Sequence, residues 1–332
     1  MSMHSTLDRL ALGQDLEPRE AYSAFHRLFT GELGPAQTGA FLLGLKAKGE
    51  TPLELDSAVR AALDQARKVD FEQTCIDTCG TGGDGKMSFN CSTAVALFLA
   101  HMGHKVVKHG NRAVSSSCGS ADVLEHLGLP FIQDSQEARG RLERTNFVFL
   151  FAPHFHPAFA HVAPVRKELG IATLFNLMGP LLNPAQPSHQ LLGVGSAKYL
   201  DLVARALSKR PGLRKAAVLH GAGGFDELTP CGVNQVVLVS PECCETVDIH
   251  PDHYGFQTCS AQDLACTDRE QSLDLMQGVL QGQAPGPVLD MLALNLGLAL
   301  YLLQEDRQLQ DCMLQAANQV RQGIAREKLY AA

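Results

Sequence analysis

The chain has 332 residues, of which 45% are hydrophobic and 19% charged, a balance that supports a sizeable core and excludes a disordered or fibrous protein. At about 150 residues per domain the length fits two domains, and two domains make a cleft. A formal net charge of -7 provides no overall attraction for nucleic acid, so an anionic small substrate needs a focused site instead.

The first seventy residues read as helical throughout. Between Pro18 and Phe29 the residues Ala21, Phe25, Leu28 and Phe29 share one face, and Gly31 supplies a stop. A second helix is expected from Pro35 to Lys48, where Ala36, Ala40 and Gly44 recur every four residues and form a groove for close approach of another helix, internal or from a second subunit. A third starts strongly: Thr51 can cap, Pro52 takes the first helical position and Glu54 completes a capping box.

From Cys75 the texture changes to short apolar strands alternating with helices, the pattern of a largely parallel α/β sheet. Strands are expected at 75–78, 105–107, 147–151, 191–194, 216–219 and 235–239. The run Gly179-Pro180-Leu181-Leu182-Asn183-Pro184, with Gln186-Pro187, reads as a proline-punctuated hinge between domains. The apolar stretch Val288 to Leu303 falls short of the ~20 residues of a membrane span and reads as a buried core helix, so no membrane partner is expected. Ten scattered cysteines, with no charged-then-apolar leader, suggest free thiols in a cytoplasmic protein.

Chemistry concentrates at Gly80-Thr81-Gly82-Gly83-Asp84-Gly85. The spacing Gly80-x-Gly82-x-x-Gly85 satisfies a dinucleotide fingerprint, yet Lys86 to Phe89 intervene before the next helix and the second strand leads to basic Lys108, where a ribose-binding acid is required. The same residues nearly make a Walker A loop, but Met87 occupies the position of the magnesium-binding hydroxyl. What remains is shared physics: glycines let backbone N–H groups converge on a phosphate, and the helix opened by Asn90-Cys91-Ser92-Thr93 adds its positive end.

Several blocks together resemble anthranilate phosphoribosyltransferases: Asp77 to Asp84, Phe89 to Thr93, Lys108-His109-Gly110-Asn111-Arg112 through Ser116, Gly119 to Asp122, Pro164-Val165-Arg166, Thr173 to Pro184 and Gly224 to Glu227. They keep the family's order from about residue 5 to 325. The resemblance implies a small helical domain, residues 1–70 with a returning segment near 165–186, and a larger α/β domain with a mostly parallel central sheet, residues 71–164 and 187–332. It implies transfer of the phosphoribosyl group of phosphoribosyl pyrophosphate to anthranilate, with release of pyrophosphate, in tryptophan biosynthesis. It also implies magnesium and a homodimer formed through the helical domain.

By the same resemblance, Gly80, Gly83, Asp84, Ser88, Asn90, Ser92, Thr93, Lys108, Ser116 and Ser120 contact phosphoribosyl pyrophosphate. Gly80, His109, Asn111, His156, Phe159 and Arg166 meet anthranilate, with the Arg166 guanidinium as a natural fork for its carboxylate. Ser92, Asp226 and Glu227 bind the metal, for which adjacent carboxylates after Gly223-Gly224 supply hard oxygen ligands. No general base is expected, because an aniline nitrogen is already neutral at pH 7 and needs positioning above all.

Two other readings use the same residues. A pyrimidine nucleoside phosphorylase shares the structural group, although Arg166 and the Asp226-Glu227 pair speak against it. A noncatalytic nucleic-acid-binding paralogue is opposed by the intact Lys108 to Ser116 block and the negative charge. His154-x-His156 with His161 suggests zinc only weakly, since no cysteine or carboxylate completes the set. Ser88 in place of the family's usual threonine, Met87 in place of a polar residue, and the segment Cys243 to Cys266 depart from the family pattern.

Overall fold

The structure, a computed structural model, describes residues 2–112 and 119–324. Four helices come first: α1 (Met3–Ala11), α2 (Pro18–Phe29), α3 (Pro35–Lys48) and α4 (Pro52–Asp64). Pro18, Pro35 and Pro52 each sit at the start of a helix, where their missing N–H leaves nothing unsatisfied. The capping box of α4 forms as its sequence requires: the Thr51 hydroxyl accepts from the Glu54 N–H at 3.2 Å, and Glu54 accepts from the Thr51 N–H at 2.9 Å. Glu54 is wholly buried and also accepts from the Leu16 N–H and the Lys48 ammonium, so one cap ties three segments of the bundle. Of the small-residue row on α3, Gly44 packs on Leu10 of α1, an internal partner, whereas Ala36 and Ala40 are exposed.

Seven strands follow: β1 (Cys75–Gly80), β2 (Lys105–Gly110), β3 (Phe147–Phe151), β4 (His189–Gly193), β5 (Lys215–His220), β6 (Asn234–Val239) and β7 (Cys244–Ile249). Their order across the sheet is β3-β2-β1-β4-β5-β6-β7, parallel from β3 to β5 and antiparallel beyond. β7 has no counterpart among the expected strands. Its Glu245, Thr246 and Asp248 give it little apolar signal, because it is an edge strand with solvent on much of its surface.

Side chains alternate across the sheet. Leu191, Ala217 and Leu219 face a core formed with α5 (Cys91–His101) and the helices Gly286–Leu303 and Leu309–Gln322. Leu192, Val194, Ala216 and Val218 face the other way and share one core with α2, α3, α4 and the helix Leu200–Leu207. The bundle is therefore welded to one sheet face. The helix Gly286–Leu303 is long and apolar enough to cross a membrane by length and composition, yet 67% of it is buried inside the fold, as expected of a core helix.

The proline-rich connection expected as a hinge is well packed: residues 180–184 are all buried. The Asn183 amide donates to Asp77 at 2.9 Å and to the Val107 carbonyl at 2.8 Å, and the Gln190 amide donates to the Pro180 carbonyl at 2.6 Å. Proline and glycine here shape a compact segment cross-bonded to β1, β2 and β4 rather than an open linker.

Candidate active site

The chain runs from β1 outward to β2 and β3, then returns to place β4 on the other side of β1. This switch in direction leaves a crevice at the carboxyl ends of β1 and β4, where open α/β sheets bind ligands. Gly80 and Gly193 end the two strands in register. Both are glycine for the same reason: Asp226 lies on top of them. A Cβ on Gly80 would stand 2.2 Å from Asp226 Oδ2, and one on Gly193 would stand 1.5 Å from the Asp226 carbonyl oxygen.

The glycine loop after β1 turns through left-handed backbone at Gly82, Gly83 and Gly85, which side-chain-bearing residues adopt only with strain. The Gly82 N–H donates to Asp226 Oδ2 at 2.8 Å. The loop is held from outside by the segment that departs from the family pattern: Ser88 bridges to Ala265, and the Cys266 N–H donates to the Met87 carbonyl. The last part of the unfamiliar segment Cys243 to Cys266 thus supports the loop.

Asp84, Asp226 and Glu227 converge so that their acid oxygens lie within 4.8 Å of one another. Burial and the neighbouring Asp226 push the Asp84 carboxyl up to about 6, and burial with the same neighbour holds Glu227 well above the ordinary carboxylate range. Glu227 Oε2 is buried without a hydrogen-bond partner among the described residues. Crowded acids with an unspent oxygen are the electrostatic setting that a hard divalent cation relieves, so the residues fit magnesium. Asp84, expected at the substrate, belongs to this acidic set.

Two buried asparagines hold the turn that carries these acids. Asn234 Oδ1 accepts from the Ala222 N–H at 3.1 Å and the Thr229 N–H at 2.8 Å, while its amide donates to the Thr229, Gly232 and Ile249 carbonyls. Asn295, on the core helix, clasps Leu228 through both its N–H and its carbonyl. Neither was a candidate from sequence. The visible signal was Asn295, a polar residue interrupting an apolar run.

At the start of α5, Asn90 accepts from the Thr93 N–H at 3.2 Å as the N-cap. Lys108 lies beneath this helix end, 1% exposed, donating to the Thr78 carbonyl and to Ser92 Oγ at 3.2 Å. Burial lowers its pKa while Asp77 and Glu227 oppose that shift. Thr93 is also fully buried. These two expected phosphate contacts therefore sit below the cleft surface, whereas Ser88, Asn90 and Ser92 are partly exposed. Ser120 lies against Gly110, where an added Cβ would meet its hydroxyl at 2.9 Å. Asn111 is exposed, and Ser116 falls outside the described residues.

The rings expected to line an acceptor pocket form a chain of contacts. His109 and His156 meet edge-to-face at 5.1 Å, His156 meets Phe159 at 5.7 Å, and Phe159 packs on Phe175 and on Phe29 of α2. The Arg166 guanidinium lies 4.7 Å from the Phe175 ring centre and has no ion pair among the described residues. Burial drives His109 well below its usual pKa and His156 down to about 4, so both rings are neutral at pH 7. His109 Nε2 and His156 Nδ1 are buried without hydrogen-bond partners among the described residues. His154, His156 and His161 do not join in any metal-capable cluster among the described residues.

A helical bundle welded to a sheet whose switch point carries a glycine loop and an acidic cluster is suited to a phosphorylated substrate and a divalent cation. Residues 4–66 match the helical bundle domain of a glycosyl transferase family, and residues 72–326 match the α/β domain of the same family. The anthranilate phosphoribosyltransferase of Nitratidesulfovibrio vulgaris is 51% identical over 331 residues, covering 98% of both chains. The crystal structure of the anthranilate phosphoribosyltransferase from Thermus thermophilus superposes with a TM-score of 0.88 at 37% identity, covering 98% of this chain and 96% of that one. The Saccharomyces cerevisiae enzyme in complex with 4-fluoroanthranilate aligns with a TM-score of 0.87 at 25% identity over 99% and 96% of the two chains. The chain belongs to the anthranilate phosphoribosyltransferase family.

Proposed function

We propose that the chain transfers the phosphoribosyl group of phosphoribosyl pyrophosphate to the amine of anthranilate, releasing pyrophosphate. The observation that carries this reading is the seating of Asp84, Asp226 and Glu227 on the tips of β1 and β4, beside the glycine loop and the N-terminus of α5. The ribose becomes cationic as its bond to pyrophosphate breaks, and the leaving group gathers several negative charges. Backbone N–H groups of the loop from Gly80 to Asp84, with Ser88, Asn90, Ser92 and Ser120, face that charge. Buried Lys108 acts one bond back, by holding Ser92. Asp226 and Glu227, with Asp84 and the Ser92 hydroxyl, would hold magnesium, which when bound neutralises pyrophosphate charge.

Arg166 anchors the anthranilate carboxylate, and His109, His156 and Phe159 border its ring. Support comes from the guanidinium's freedom from any ion pair among the described residues and from the 4-fluoroanthranilate bound by the yeast relative. A charge-assisted hydrogen bond is worth about 1.5–3 kcal/mol, so Arg166→Ala raises the KM for anthranilate roughly ten- to hundredfold with kcat nearly kept. An unchanged KM removes the anchor. Loss of anthranilate fluorescence on adding phosphoribosyl pyrophosphate and magnesium tests the reaction itself, and a purified protein without turnover refutes it.

Metal binding carries a pH signature. The Asp84 carboxyl is raised above its unfolded value, so without a cation the fold loses stability from this group as pH climbs from about 4 to its folded value of about 6. Cation binding requires the deprotonated acid and offsets that loss. The rise in Tm caused by magnesium therefore grows between pH 5 and pH 7, and an increment that stays flat across this range removes Asp84 from the metal set.

Two copies of the chain pair through the bundle in this reading. Exposed Ala36, Ala40, Leu43 and Ala47 form one apolar row along α3, with Leu43 50% exposed. The described cysteines are all free, which suits the cytoplasm.

A further inference from the structure

At the opposite end of the sheet from the acidic cluster, a cavity of about 210 Å³ opens between the C-terminal end of α5, the helix Ser135–Thr145 and the start of β3. Leu97, Leu129 and Phe147 supply apolar wall, and Arg141, Arg144 and His101 supply the polar part. Arg141 is 7% exposed and makes no side-chain hydrogen bond or ion pair with any described residue. Arg144 is three residues further along the same helix and exposed, so it marks the mouth. Burial lowers the Arg141 pKa, the positive charge of Arg144 lowers it further, and Glu137 on the same helix opposes the shift without reversing it. A guanidinium largely withdrawn from water, with no partner among the described residues, gains from a bound anion.

We propose that this cavity binds a small organic carboxylate, with the carboxylate held by Arg141 and Arg144 and the apolar body packed on Leu97, Leu129 and Phe147. The guanidinium fork matches a carboxylate, the Thr145 hydroxyl and Asn146 amide in the lining already donate to main-chain carbonyls, and the apolar walls suit an apolar body better than the further oxygens of a phosphate. The volume lies below the ~300 Å³ at which sites for drug-sized ligands begin, which restricts the ligand to about the size of a single ring or a branched chain. None of these residues belongs to the site on β1 and β4, so the proposal stands apart from the transferase reaction.

Thermal unfolding of the full chain in excess magnesium tests it, with cyclohexanecarboxylate, the neutral cyclohexanecarboxamide and inorganic phosphate as probes. The carboxylate raises Tm, while the carboxamide and phosphate leave it unchanged. Arg141→Leu abolishes the rise without lowering the Tm of the unliganded protein, and Arg144→Gln weakens it. Arg166→Ala retains it, which separates this cavity from the acceptor pocket. The proposal fails if the carboxylate gives no shift, if the shift survives Arg141→Leu, or if carboxamide or phosphate stabilises equally. Arg144→Gln, a surface change, decides the matter should Arg141→Leu fail to fold: an unaltered shift in that variant also overturns it.

Discussion

Replacing Asp226 by Asn together with Glu227 by Gln lowers kcat/KM by at least ~100-fold, the scale on which removing one charge-stabilising group acts in a water-excluded site. The same double variant unfolds at a Tm no lower than the parent in magnesium-free buffer at neutral pH. The two outcomes belong together. In the parent, burial and mutual repulsion raise Asp84 and Glu227, so their ionised forms oppose folding until a cation arrives. Amides of the same shape relieve that repulsion and preserve an acceptor for the Gly82 N–H. Steady-state rates across a magnesium titration, with calorimetry in magnesium-free buffer, measure both. A double variant with the parent's rate and magnesium dependence removes the metal role, and one that loses both rate and stability shows the carboxylates to be structural.

Gly193→Ala has a comparably large effect from a single methyl group. The new Cβ would fall 1.5 Å from the Asp226 carbonyl oxygen, a backbone atom that no side-chain rotation can move aside. The turn carrying Asp226 and Glu227 shifts outward, and a displacement of about 1 Å at a catalytic constellation costs on the order of 100-fold in rate. Overpacking adds a loss of about 1–3 kcal/mol in stability. Gly179→Ala is the control, since nothing lies within 4 Å of its added Cβ and its backbone is already helical. Activity in Gly193→Ala equal to that of Gly179→Ala shows that the seat of Asp226 on the strand tips does not matter.

Much of the bundle was legible because its signals are local. The start of each of α2, α3 and α4 is marked by a proline, and the Thr51–Glu54 box needs no distant partner. The parallel strands were visible as apolar runs because both faces of the sheet are covered. β7 was not, since an edge strand with one exposed face carries charge where a buried strand carries valine. The packing of the proline-rich run from Gly179 to Pro187 was equally hidden. Its composition reports turns, whereas its burial follows from Asn183 reaching Asp77 and Val107 across the fold.

At the site, residue types alone marked the glycine loop, the acidic pair and Arg166, because phosphate, divalent cations and carboxylates each demand a narrow choice of side chain. Chain order also placed the blocks within one family. Other features depend on groups far apart in sequence meeting at one point: that Asp84 joins the acids, that Lys108 lies under Ser92, and that Gly80 and Gly193 are the seat of Asp226. Asn234 and Asn295, which brace the acidic turn, are ordinary amides until the sheet and core helix bring their partners to them. Local chemistry is written in single residues, but a site at a topological switch point exists only once β4 has returned to lie beside β1.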